Sequence, residues 1–304
     1  MKTQRITRRR FIQKSAALAG GFLGASLTQK TWAAGSIPTA VDQVTLGNTG
    51  IKLSRLGMGC GSVGGSIQRN LGQDGFTRLV RYAYDQGITY LDTAQAYNTH
   101  EMIGKAIKDL PREKLFIQSK ISGNPKDPFA TIENYRRELG TDYIDTVLVH
   151  CTVTPNWDEE RKRILDALEK AKDKQIIRAH GVSCHSLPAL QRAVDIDFVD
   201  VHLVRINPQG AHMDTPAQKW NAVSNVSHVS PVVTQLKRMR DKGRGIIGMK
   251  LIGNGDFTNP ADREKAIRYV MQSNLTDAVT IGFKSPAEID EAIERINRAF
   301  ADKA

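Results

Sequence analysis

Cysteine is scarce: Cys60, Cys151 and Cys184 are the only three in 304 residues, too few and too far apart for a disulfide framework. An exported chain with so few cysteines relies on its core for stability. Two of them adjoin a histidine, His150 and His185, but no C-x-x-C or H-x-x-x-H spacing supports a zinc or iron site, so no metal is expected. Long apolar runs are also missing. The weakly apolar stretch from Ser15 to Leu27 is diluted by Gly20, Gly21, Gly24 and Ser26 and falls short of the roughly 20 residues of a membrane span, which argues against a stable anchor. No strand-like run leads into the G-x-G-x-x-G helix start of a Rossmann domain, and "GMGCGSVGG" has glycines without that spacing. Acid is the scarcer charge, 32 residues against 43 basic ones, for a net +11. Seven of those positive charges (Lys2, Arg5, Arg8, Arg9, Arg10, Lys14, Lys30) precede Gly35 with no Asp or Glu among them, so the remainder carries only +4. The case for a nucleic-acid partner then loses its main support.

What is present begins with those arginines. The string T-R-R-R-F-I-Q from Thr7 to Gln13 resembles the twin-arginine export signal, and the basic start, apolar core and small-residue end near Thr31, Trp32 and Ala33 have the layout of a signal peptide. Residues 1–34 are therefore expected to be a cleaved leader, the export machinery a partner, and the location periplasmic or otherwise exported. That route carries folded proteins, so some feature of the mature chain is expected to be completed in the cytoplasm.

From Val44 to Leu56, two short alternating runs flank Gly47-Asn48-Thr49-Gly50, a hairpin signal. Beyond it, short β-branched runs alternate with segments of helical period. The expected strands are residues 56–60, 89–92, 115–120, 146–150, 179–183, 198–204, 245–250 and 278–281. Between and after them, helical segments such as "TRLVRYAYDQG", "DEERKRILDALEKAKDKQ" and "PAEIDEAIERINRAF" repeat apolar residues on one face, as with Ile164, Leu168 and Ala171. Eight strand and helix pairs in about 270 residues predict an α/β fold, a closed (β/α)8 TIM barrel over residues 43–300, with chemistry at the carboxyl ends of its strands.

Those ends hold Asp92, Tyr97 in the next loop, Lys120 and His150. With "GITYLDTAQAYNTHEMIGKAI", "LFIQSK", "LGTDYIDTVLVH" and "GVS" in that order, the chain from about Val44 to Phe300 resembles the aldo/keto reductase family. The resemblance implies an oxidoreductase that interconverts an aldehyde or ketone and an alcohol. Tyr97 would be the general acid or base, Lys120 would lower its pKa, Asp92 would hold the lysine, and His150 would orient the carbonyl oxygen. It also implies NADP(H) bound in extended form at the barrel mouth. Ser183 and the neighbouring Cys184 would meet the nicotinamide, Lys250 would stand near its ring, Lys284 and Ser285 would take the 2′-phosphate, and Glu291 the adenine. Cys184 and Ala292 stand where the family carries asparagine. A compartment without a pool of reduced nicotinamide further implies that the cofactor is retained tightly. An alternative is an exported barrel that binds a sugar or other small ligand with little redox turnover. Asn207, Gln209, Trp157, His212 and Trp220 fall in loops that could line an open, polar pocket.

Overall fold

The computed structural model describes residues 37–303; the expected leader, residues 1–34, lies outside them. The hairpin comes first: β1 (Gln43–Thr45) and β2 (Lys52–Ser54) pair antiparallel across a 3₁₀ turn at Gly47–Thr49. Eight parallel strands follow and close into a barrel in chain order: β3 (Leu56–Gly59), β4 (Tyr90–Asp92), β5 (Phe116–Ile121), β6 (Ile144–Thr152), β7 (Ile177–Cys184), β8 (Val201–Arg205), β9 (Gly245–Met249) and β10 (Ala278–Gly282), with β10 hydrogen-bonded back to β3.

The helices are α1 (Ser66–Arg69), α2 (Gly72–Asp85), α3 (His100–Ile107), α4 (Pro128–Leu139), α5 (Trp157–Glu160), α6 (Lys162–Asp173), α7 (Leu187–Asp195), α8 (Val229–Asp241), α9 (Pro260–Ser273) and α10 (Pro286–Ala301). Several begin where local chemistry dictates. The Asp127 carboxylate accepts from Ala130 N at 2.9 Å with Pro128 as the first helical residue of α4, and Asn259 and Pro260 repeat the device at α9. The expected long helix over residues 158–175 is two helices, parted at Arg161. Its predicted apolar face holds, since Ile164, Leu168 and Ala171 are fully buried.

Period-2 alternation sorts the strand residues into two cores. Leu91, Ile117, Val147, Val149, Val182 and Ile246 face outward into the layer under the helices. Tyr90, Phe116, Leu148, Ala179, Val201, Leu203 and Ile247 fill the barrel interior, joined there by Leu46, Ile51 and Leu53 of the hairpin. The hairpin thus plugs the floor, at the amino ends of the strands. Gly47, with φ +48°, lies so close to Arg244 and Gly245 that a Cβ would come within 2.4 Å of the Gly245 nitrogen, which only glycine permits.

Candidate active site

The same alternation decides what reaches the mouth. Counting outward from the buried interior layer, Asp92 is two residues beyond Tyr90, Lys120 four beyond Phe116, His150 two beyond Leu148, Ser183 four beyond Ala179 and Arg205 two beyond Leu203. All five therefore project inward at the carboxyl end of the barrel.

Lys120 is fully buried, and its ammonium donates to Asp92 Oδ1 at 2.7 Å and to the Thr93 carbonyl at 2.8 Å. Gln118 donates to the same carboxylate oxygen at 2.8 Å and accepts from Thr146 at 3.0 Å, which fixes Asp92 from the interior side. Burial is the largest influence and pulls the Lys120 pKa down, but Asp92 and Tyr97 beside it together outweigh that and raise it above the ordinary lysine value. The lysine is a permanent cation under the site.

Tyr97 sits on a 3₁₀ turn over Gln95–Tyr97, closed by Asn98 in the left-handed conformation. Its ring lies against Gly61, where a Cβ would strike it at 2.4 Å. The Arg69 guanidinium of α1 hydrogen-bonds the Tyr97 carbonyl. The Lys120 ammonium lies 5.0 Å from the ring centre. The Tyr97 hydroxyl is 3.5 Å from His150 Nε2, long for a direct hydrogen bond and close enough for one substrate oxygen to touch both. A β-bulge in β6 at His150 and Cys151, the latter with φ +58°, turns the histidine toward that point.

The electrostatics correct one expectation. Lys120 does pull the Tyr97 pKa down, but burial is the larger influence and the net shift is upward, helped by Asp92. Burial thus holds the Tyr97 hydroxyl above the ordinary phenol value, with Lys120 as the main influence opposing it. His150 is pushed down to about 3, first by burial and then by Lys120 and Lys250, so it is neutral. Ser122 Oγ lies 2.8 Å from His150 Nδ1, a contact either neutral tautomer can make; the tautomer in which Ser122 donates to Nδ1 puts the ring proton on Nε2, beside the Tyr97 hydroxyl. Ser122 and Gln118 were not singled out from the sequence. The signal for both was their even spacing from Lys120: Gln118 shares its face of β5, and Ser122 follows directly after the strand ends at Ile121.

A cavity of about 540 Å³ opens beside this group. Asp92 and Tyr97 line one part of it, Lys250 and Met249 another, and Lys284, Glu288, Glu291, Ala292, Arg263 and Arg295 a third. Its wall is richer in apolar side chains than the expected polar pocket, with Leu203, Ile252, Phe257, Ile281 and Phe283 among them. Lys250, with φ +62°, donates to Asn254 Oδ1 at 2.6 Å, and burial lowers its pKa to about 8. Lys284 pairs with Glu288 at 3.5 Å, and Ser285 opens α10 with its hydroxyl making no cap bond. Glu291 accepts from both Arg263 and Arg295 at 2.8 Å. Neither arginine was anticipated, because their part in the cavity depends on α9 and α10 lying side by side.

Other expected residues lie elsewhere. Cys184, one step along β7 from Ser183, faces outward into the core under the helices, where Thr152 donates to its sulfur at 3.4 Å. Ser183 is fully buried, 3.2 Å from His185 Nε2. Trp157 is buried with its indole N–H on the Ala189 carbonyl, Trp220 is exposed, and His212 pairs with Asp256. Asn207 donates to the loop carbonyls of Ala211 and Lys250 and Gln209 to the Asp262 carbonyl in the first turn of α9, instead of facing the cavity. The three cysteines do not converge: Cys60 is buried just after β3 and Cys184 at the end of β7, and among them only Cys151 touches a histidine, His185 at 3.5 Å.

Known proteins resemble this chain in sequence and in fold. Aldo-keto reductase YhdN of Bacillus subtilis is 32% identical over 165 residues, 48% of each chain. The NAD/NADP-dependent indole-3-acetaldehyde reductase of Schizosaccharomyces pombe is 30% identical over 137 residues, 43% of this chain and 48% of its own. The chain thus spans about half the length of these curated relatives. The solved holo form of an aldo-keto reductase from Bacillus halodurans superposes with a TM-score of 0.66 over 87% of this chain and 96% of that one, at 17% identity, a likeness of fold. Residues 55–267 match the model of the aldo/keto reductase family, and the chain belongs to that family.

Proposed function

We propose that this protein reduces an aldehyde or ketone to an alcohol, with a nicotinamide dinucleotide bound along the cavity. The observation that carries this reading is the Tyr97 hydroxyl and His150 Nε2, 3.5 Å apart above the buried Lys120–Asp92 pair, on the edge of a cavity of about 540 Å³. That volume falls within the usual range for small-molecule sites. The cavity fits a dinucleotide in having a reactive end at Tyr97 and a distant end at Lys284 and Glu291.

When bound, the dinucleotide supplies the hydride. The chain's own residues handle the oxygen. His150 Nε2–H and the Tyr97 hydroxyl both donate to the substrate oxygen and orient it. As negative charge grows there, Tyr97 passes its proton across, and the fixed Lys120 ammonium stabilises the phenolate left behind. Asp92 and Gln118 hold that ammonium still, so little reorganisation is needed in the transition state. The apolar wall excludes water from the reacting atoms.

The expected NADP(H) rests on Lys284 and Ser285, and the choice between the two dinucleotides turns on the charge around them. The arginine-rich stretch Thr7–Gln13 supports passage of the folded protein through the twin-arginine machinery to the periplasm, with dinucleotide taken up beforehand and retained. Replacing Arg8 and Arg9 by lysine should leave the protein in the cytoplasm on fractionation, and normal export of that variant would refute the routing.

Loss of nicotinamide absorbance on mixing the protein with reduced dinucleotide and a short aldehyde tests the activity. Steady turnover is the expected result. Tight binding of dinucleotide and aldehyde with no turnover would favour the alternative, a barrel that binds small ligands without redox chemistry.

A further inference from the structure

Lys284 and Ser285 stand at the start of α10, where the resemblance implied a 2′-phosphate, yet Glu288 already occupies that place. Its carboxylate Oε2 accepts from the Lys284 backbone N–H at 2.9 Å, and Oε1 lies 3.5 Å from the Lys284 ammonium. One side chain thus takes both the amide and the cation that a phosphate would use. Glu288 and Lys284 both line the cavity. The other two cations on this part of its wall are also committed. Arg263 donates to Glu291 and to the carbonyls of Phe257 and Thr258, and Arg295 donates to Glu291 and Glu264. Lys284, Arg263 and Arg295 therefore each face a carboxylate.

We infer that Glu288 makes the site select NAD(H) against NADP(H), by confronting the 2′-phosphate with a carboxylate and offering an acceptor to the free ribose 2′-hydroxyl. A phosphate at this point would break the Glu288–Lys284 pair and sit against a like charge, which is discrimination by repulsion. A 2′-hydroxyl is a neutral donor that a carboxylate accepts readily, the same logic by which an acidic residue reads the ribose in dinucleotide-binding folds of other architecture. This inference rests on the nicotinamide reading above, and it replaces the NADP(H) expected from the sequence.

The test is equilibrium binding rather than turnover. NADH and NADPH are titrated separately into the purified protein and into Glu288→Gln, with nicotinamide fluorescence as the readout. Gln keeps the side-chain length and an acceptor for the Lys284 amide while removing the charge. The native protein should bind NADH at least about tenfold more tightly than NADPH, and Glu288→Gln should close most of that gap by improving NADPH binding. Glu288→Lys should reverse the preference. Equal or tighter binding of NADPH by the native protein, or an unchanged ratio in Glu288→Gln, would overturn the inference and leave the nicotinamide reading standing. Binding of neither dinucleotide would overturn both.

Discussion

The two ends of the barrel are built on opposite principles. At the floor, Leu46, Ile51 and Leu53 of the hairpin meet Tyr90, Phe116 and Val201 in a purely apolar plug. At the mouth, the interior is charged: Lys120 and Asp92 are buried as a pair, and Arg205 faces a fully buried Asp214 at 3.5 Å. Backbone strain leans toward the mouth. Of the eight non-glycine residues with positive φ among the described residues, Val63, Asn98, Cys151, His212, Lys250 and Asn254 lie in segments that follow the carboxyl ends of strands or in the β6 bulge there, and Gln175 and Asn274 precede β7 and β10 at the floor. Such conformations cost free energy and persist only where packing over-determines them. The floor supplies stability, and the mouth spends some of it to hold polar groups in fixed positions.

The largest effect should come from breaking the buried pair at the mouth. Lys120→Met leaves the Asp92 carboxylate buried without its cation, which should cost about 3–5 kcal/mol of stability as well as nearly all activity. Denaturant unfolding of Lys120→Met and of the double variant Lys120→Met/Asp92→Asn checks this, because the double variant should regain stability while remaining inactive. A floor substitution should separate the two properties. Leu46→Ala opens a cavity in the plug and should cost about 3 kcal/mol, with turnover per folded molecule unchanged. If Leu46→Ala altered turnover of the folded protein, the division between the ends would fail.

Acid should expose a third difference. His100, His150 and His202 are buried neutral, with pKa values pushed down from 6.5 to about 4, 3 and 3. Between pH 6.5 and those values the unfolded chain binds more protons than the folded one, so these groups make stability fall as pH falls through that window. Asp214, lifted by burial from 3.8 to about 7, acts in the opposite sense, since its folded form binds the extra proton. Three histidines outweigh one carboxyl, so the melting temperature should drop steadily below pH 6.5, measurable by calorimetry. The smallest effect belongs to Ser122→Ala. It removes the hydroxyl that holds the His150 ring through Nδ1, worth about 1 kcal/mol or roughly a fivefold loss in turnover, with no change in stability.

The hairpin and the barrel were legible in the sequence because hydrophobic period is a local signal, whereas the hairpin's place as the floor depends on its meeting strands far away in the chain. Alternation over "FIQSK" or "DTVLVH" fixes strand, face and direction together, and each strand end follows from it. The candidate group at the mouth was legible for the same reason, with Asp92 on β4 and Tyr97 just after it, Lys120 on β5 and His150 on β6. What could not be read depends on distant elements meeting. The net pKa of Tyr97 reflects burial by the whole mouth, and the pairing of Glu291 with Arg263 and Arg295 needs α9 beside α10. Cys184 shows the limit of reading residues by motif alone: the alternation that carries Ser183 into the mouth carries its neighbour out of it.

The central claim is that Tyr97 gives the proton while the neighbouring groups keep their shape. Single-turnover reduction of a short aldehyde by Tyr97→Phe, set beside dinucleotide binding by the same variant, tests it most directly. The expected result is unchanged binding and a loss of about 10²–10⁴-fold in the rate of reduction. Reduction by Tyr97→Phe at the native rate would contradict the account.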